Sequence, residues 1–153
     1  MRREQLRGYT LIEVVVVLAV LAVAAAVVGS AVGRATDGVK ARAEVAAVAS
    51  FLRSAREQAV TRQRPYEVVL EPEARALVLR GTGREADARV EASRYLSPRL
   101  RMAAEPASAR QVTFLPQGMS SGARFRIDAP GRRVFLVTVD ALTGRVRTEQ
   151  GGS

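Results

Sequence analysis

Residues 8–28 read Gly8-Tyr9-Thr10-Leu11-Ile12-Glu13, then Val14 to Val28 as an unbroken run of valine, leucine and alanine. Between Tyr9 and Gly33 the only formal charge is Glu13. A bilayer hydrocarbon core is crossed by about 20 residues of apolar helix, so the segment is long enough to span it. Ahead of it, residues 1–8 carry Arg2, Arg3 and Arg7 against Glu4. Basic residues before a span predict a cytoplasmic amino terminus and a carboxyl-terminal bulk across the membrane. An ordinary secretory signal peptide, cut near Ala24-Ala25-Ala26, and a plain anchor fit the apolar run as well. Neither accounts for Glu13. A carboxylate inside an apolar helix costs about 3 kcal/mol on insertion scales, and a positive partner or protonation relieves that cost.

The glycine, the apolar stretch and the glutamate at this spacing resemble the class III leader of type IV pilins and type II secretion pseudopilins. The resemblance implies that a prepilin peptidase cuts between Gly8 and Tyr9 and that Tyr9 is then N-methylated. It also makes Glu13 the fifth mature residue, an assembly residue that pairs with a neighbouring subunit's amino terminus. Tyr9 departs from the family's usual phenylalanine but keeps an aromatic ring. The ammonium created at Tyr9 by cleavage is a suitable partner for a carboxylate in an apolar filament core.

Residues 34–64 contain no proline and are rich in alanine and arginine, good helix formers. Val45, Val48, Leu52, Ala55 and Ala59 recur at helical spacing and predict one apolar stripe, with Arg42, Arg53, Arg56 and Arg62 mostly off it. Gly29, Gly33 and Gly38 weaken the middle of any continuous helix by about 1 kcal/mol each. Both one long helix and two shorter ones fit the pattern. After Pro65 the period changes to two. Residues 66–70 and 76–80 predict a hairpin around 71–75, and 81–89 a loop. Further strands are expected at 89–95, 99–103, 111–115, 124–128, 134–139 and 145–149. The class is α+β: a sheet of about six to eight antiparallel strands with the helix of residues 40–64 laid across it. The expected organisation is a leader at 1–8, a membrane or filament-core helix at 9–33, an amphipathic stalk helix at 34–64 and a β-rich head at 65–153.

The head also carries a resemblance. Phe51-Leu52-Arg53-Ser54-Ala55-Arg56-Glu57-Gln58-Ala59, Val112–Gly122 and Leu142-Thr143-Gly144-Arg145-Val146-Arg147 are similar to the GspH/FimT group of minor pseudopilins and minor pilins. This implies a type IV pilin-like fold, a long amino-terminal helix packed on an antiparallel head.

The chain has 153 residues, no cysteine and no histidine. Thiolate and imidazole metal sites, a catalytic thiol and a histidine base are therefore unavailable. Gly118-Met119-Ser120-Ser121-Gly122 fits the nucleophile-elbow pattern, but that mechanism needs a base beside the serine and a strand-to-helix turn. A polar turn is the expectation, with no enzyme activity, cofactor, metal or small-molecule substrate. The pairs Glu71/Glu73 and Glu85/Asp87 read as solvated loop carboxylates.

The net charge is +9, carried almost wholly by arginine, since Lys40 is the only lysine. In the segment 145–147, alternation puts Val146 inward and Arg145 and Arg147 outward about 7 Å apart, near the spacing of successive phosphates on a strand. The Gly144-Arg145-Val146-Arg147 element resembles one that FimT-type minor pilins use for DNA, with Arg124 and Arg126 as extensions. The primary expectation is thus a minor pilin or pseudopilin of a type IV pilus serving DNA uptake, with possible DNA contact by the head. The alternative is a GspH-like pseudopilin of type II secretion, and a third is an unrelated periplasmic β protein with an ordinary signal peptide. The partners implied are other pilins, prepilin peptidase and the inner membrane. The place implied is a single-pass inner-membrane protein with a periplasmic head, then a filament.

Overall fold

The computed structural model describes residues 10–82 and 90–151, with the side chains of 27–36 excepted. The cleavage and methylation positions Gly8 and Tyr9, and the pair Glu85/Asp87, lie outside the described residues. The chain falls into two units, Met1–Asp37 and Gly38–Ser153.

One α-helix, α1, runs from Leu11 to Thr61, and its assignment is unbroken through the three glycines. Thr10 caps it: the Glu13 amide donates to Thr10 Oγ1 at 3.3 Å and to Thr10 O at 3.0 Å. A threonine three residues before a glutamate is the arrangement of a capping box. Glu13 therefore sits in the first turn of the described helix, where the helix dipole favours a carboxylate. From the sequence it was expected well inside an apolar helix. Among the described residues no helix is long and apolar enough to cross a membrane. The described side chains of residues 11–26 are all exposed.

In the second unit the expected stripe is buried. Val45 is 4% exposed, and Val48, Leu52, Ala55 and Ala59 are wholly enclosed, joined by Ala41 and Ala49. Each enclosed valine or leucine of such a stripe contributes about 1.5–3 kcal/mol. Arg42 and Arg53 stay in solvent, as their off-stripe positions predict.

Among the described residues eight strands follow, and they form two sheets where one was expected. The first, in the order β3-β2-β1-β5, contains β1 (Tyr66–Glu71), β2 (Ala76–Gly81), β3 (Val90–Tyr95) and β5 (Gln111–Phe114). The second, in the order β4-β6-β7-β8, contains β4 (Arg101–Ala104), β6 (Ala123–Ala129), β7 (Arg133–Val139) and β8 (Val146–Gly151). All pairings are antiparallel. The hairpin loop is four residues, 72–75, because Glu71 and Ala76 pair directly. β5 leaves its sequence neighbours to pair with β1, Tyr66 opposite Phe114. That exchange encloses Tyr66, Phe114, Phe125, Ile127 and Val137 in one core with the stripe of α1.

The end of α1 is tied to the first sheet through the Tyr66 hydroxyl. It accepts hydrogen bonds from Arg62 at 2.8 Å and Arg64 at 2.6 Å and donates to Glu91 at 3.0 Å. Glu91 also pairs with both arginines. A buried phenol needs such partners to offset its desolvation.

Candidate functional site

The three head segments singled out in the sequence meet at one place. Arg56, on the half-buried side of α1, donates through Nε to Gly118 O at 3.0 Å. Gly118 belongs to the 116–122 turn, and Gly144 of the 140–144 turn lies against both. A Cβ built on Gly144 collides with Gly118 O and falls 2.8 Å from Arg56 Nε. Gly144 also has φ of +61° and Gly118 of +85°, conformations that side-chain-bearing residues rarely adopt. These glycines are demanded by the close approach of two turns over one arginine.

Ser120 belongs to the same junction. Its hydroxyl donates to Asp140 O at 2.9 Å and accepts from the Gly122 amide at 3.0 Å, and the residue is 7% exposed. The Ser120 amide donates to Ala141 O at 2.9 Å. The serine pattern is a turn, as expected, and its central hydroxyl clamps the neighbouring turn. Within that turn Asp140 accepts from both the amide and the hydroxyl of Thr143, each at 2.8 Å. These bonds, hydroxyl first, hold the Asp140 carboxyl below the ordinary carboxylate range, with a smaller push from Arg147.

Beside the junction lies an open cleft of about 330 Å³, lined by Arg53, Arg56, Glu57 and residues 144–147. Arg145 and Arg147 are exposed and Val146 is half-buried, as alternation predicts, although Arg145 precedes the first residue of β8. The other two candidate cations divide. Arg124 and Arg147 both pair with Thr138 across β7, so they share a row on one face of the sheet. Arg126 lies in the next row but one, with Leu136 and Glu149, and its Nε is ion-paired with Asp128 Oδ1 at 3.0 Å. The strands thus bring Arg124 to Arg147, while Arg126 is already partnered. Arg53 and Arg56 were not foreseen at this site. Their i, i+3 spacing placed them on one helix face, but nothing in the sequence places that face against residue 144.

At the other end, Leu11, Ile12 and the large apolar residues from Val14 to Val23 present their side chains to solvent, Leu11 being 85% exposed.

The chain is similar to known proteins. Residues 6–29 match the prokaryotic N-terminal methylation motif. Residues 44–143 match the family described as type II transport protein GspH. Over 148 residues the chain is 31% identical to the type II secretion system protein H of Xanthomonas campestris pv. campestris, covering 95% of this chain and 85% of that protein. The fold is similar to that of the type IV minor pilin FimU of Pseudomonas aeruginosa, with a TM-score of 0.60 and 16% identity over 73% of this chain and 98% of that one. It is also similar to the minor pseudopilin EpsH of the Vibrio cholerae type II secretion system, with a TM-score of 0.58 and 17% identity over 74% of this chain and 99% of that one. The matched span runs from the buried stripe of α1 through Arg56 and Gly118 to the residue before Gly144, and the chain belongs to the GspH family of minor pseudopilins and minor pilins, subunits that assemble with other pilins in a filament.

Proposed function

We propose that this chain is a non-enzymatic minor pseudopilin of a type II secretion system, cut by prepilin peptidase after Gly8 and N-methylated on Tyr9. The observation that carries the reading is the exposed apolar first half of α1, with one carboxylate in its first turn, on a helix whose second half is built into the head. Such a surface requires an apolar surrounding. The inner membrane supplies it before assembly, with the amino terminus cytoplasmic and the head periplasmic, and neighbouring helices supply it afterwards. Glu13 then sets register against a neighbour's ammonium at Tyr9. The relative from Xanthomonas campestris supports type II secretion as the host system.

Two measurements test this. Mass spectrometry of the mature chain is expected to find N-methyl-Tyr9 at its start, and a start near residue 27 overturns the reading. Deleting the gene is expected to stop protein secretion and leave DNA uptake intact, and the reverse result assigns the chain to a pilus instead.

A second reading, DNA contact by the head, is favoured by Arg124, Arg145 and Arg147, which are exposed and have no ion pair among the described residues. Contacts of this kind are made to the phosphate backbone and weaken with salt. Duplex DNA titrated at low and high salt checks it. Binding that is absent at low salt, or unchanged by Arg145→Ala with Arg147→Ala, removes this reading.

A further inference from the structure

β8 is the outer strand of its sheet, paired with β7 on one side only. The Asp140 amide donates to Arg145 O at 2.9 Å, which makes residues 140 and 145 a hydrogen-bonded pair continuing the β7–β8 ladder. Hydrogen-bonded and non-bonded pairs alternate in an antiparallel ladder. Arg147 and Glu149 therefore bond to β7, and the amides and carbonyls of Val146, Thr148 and Gln150 face away from it. An unpaired edge of this kind is a template for another strand.

This edge is also grooved. The cleft at Arg53–Glu57 and residues 144–147 is followed by a second of about 220 Å³, lined by Arg42, Val45, Ala46, Phe135 and residues 148–150. Rising residue numbers on α1 meet falling numbers on β8, so helix and strand run antiparallel. Residues 42–57 of a helix and 144–150 of a strand each cover roughly 20 Å, so the two clefts lie in succession along one groove-like edge between helix and strand. Val45 and Phe135 are nearly enclosed and Val146 is half-buried, so apolar side chains lie along the groove. Five arginines and two glutamates, Glu57 and Glu149, line the two clefts. None of the five arginines is in an ion pair among the described residues. Arg42 and Arg53 come from the helix side, while alternation puts Arg145 and Arg147 on the outer face of the strand. A strand added to β8 meets cations on both of its faces.

We propose that the groove between α1 and β8 is a docking site for an extended acidic segment of a partner protein, which adds to β8 as a further strand. Backbone bonds to Val146, Thr148 and Gln150 supply affinity, and carboxylates meeting Arg42, Arg53, Arg145 and Arg147 supply selection. A duplex offers no backbone amides and carbonyls to pair with those of Val146, Thr148 and Gln150. The inference concerns the head and stands whichever filament system hosts the chain.

The test uses the full chain in detergent micelles and a fluorescent peptide of alternating glutamate and valine. Its glutamine counterpart and a short DNA duplex serve as competitors. Binding of the glutamate peptide is expected, with the glutamine peptide weaker by about tenfold or more and affinity falling between about 50 and about 300 mM salt. Thr148→Pro removes one outward-facing amide and no β7 bond, and is expected to weaken binding by about tenfold. Arg53→Glu, on the exposed helix face, is expected to do the same, and circular dichroism reports whether each variant is folded. The proposal is overturned if the glutamate peptide does not bind, or if a folded Thr148→Pro chain binds it unchanged. It is also overturned if Arg53→Glu leaves affinity intact, or if the duplex displaces the peptide at equal concentration.

Discussion

The two halves of α1 share a backbone and differ in what completes them. From Leu11 to Val23 the large apolar side chains are exposed, Leu18 at 60% and Leu21 at 58%, whereas Val48 and Leu52 are fully enclosed. Both stretches are helical, so helicity does not distinguish them. The second half has polar residues on all but one stripe, and that stripe is covered by this chain's own sheets. The first half is apolar all round, and a helix of that kind needs other helices or lipid on every side. On the proposed reading, stability of the head and assembly of the filament are carried by different stretches of one helix, and substitutions can separate them.

The widest separation is expected at Glu13. Glu13→Gln removes the charge while keeping the backbone amide that donates to Thr10, and incorporation into filaments is expected to be lost. Thermal melting of the head should not move. Filaments that still incorporate the variant, counted by immunolabelling, would break the division. In the other half, Leu52→Ala deletes a wholly enclosed side chain and is expected to destabilise the head by about 2–5 kcal/mol. Chemical denaturation measures this, and Leu21→Ala serves as the control that leaves the head unchanged.

A smaller loss is expected at the junction of the turns. Gly144→Ala places a methyl group against Gly118 O in a left-handed conformation, and a cost of about 1–3 kcal/mol is expected. Arg56→Ala in the same background is not expected to restore stability, because the opposing atom is backbone carbonyl. The smallest effect is expected from acid. The Asp140 carboxyl titrates below its unfolded value, so its contribution is present at neutral pH and is lost as pH falls through the folded value. Melting temperature should fall at strongly acid pH, and Asp140→Asn should flatten that part of the profile.

Much of this was legible in the residues because local rules apply to them. The stripe from Val45 to Ala59 follows from helical period alone, and all its members are buried. Alternation assigned Val146 inward and Arg145 and Arg147 outward, and Val146 is half-buried while both arginines are exposed. The strand at 90–95 was weaker to read because Glu91, Ser93 and Arg94 interrupt its apolar character, and Glu91 proves to be tied to Tyr66. The absence of histidine set the expectation of a turn at residues 118–122, and Ser120 does lie in a turn, bonded to Asp140 O.

The sequence by itself determined helix-forming residues on both sides of the glycines, their change from all-round apolar to striped, the solitary Glu13, the approximate strand positions and the outward face of Arg145 and Arg147. These depend on period and composition, which are local. Only the tertiary structure decided that eight strands divide into two sheets, that β5 returns to β1, and that Arg56, Gly118 and Gly144 meet. Pairing partners are chosen by enclosure of a shared core between segments far apart in the chain, and alternation carries no record of that choice. The same reason hid the groove beside β8: an edge strand is an edge only once every other strand has found its place.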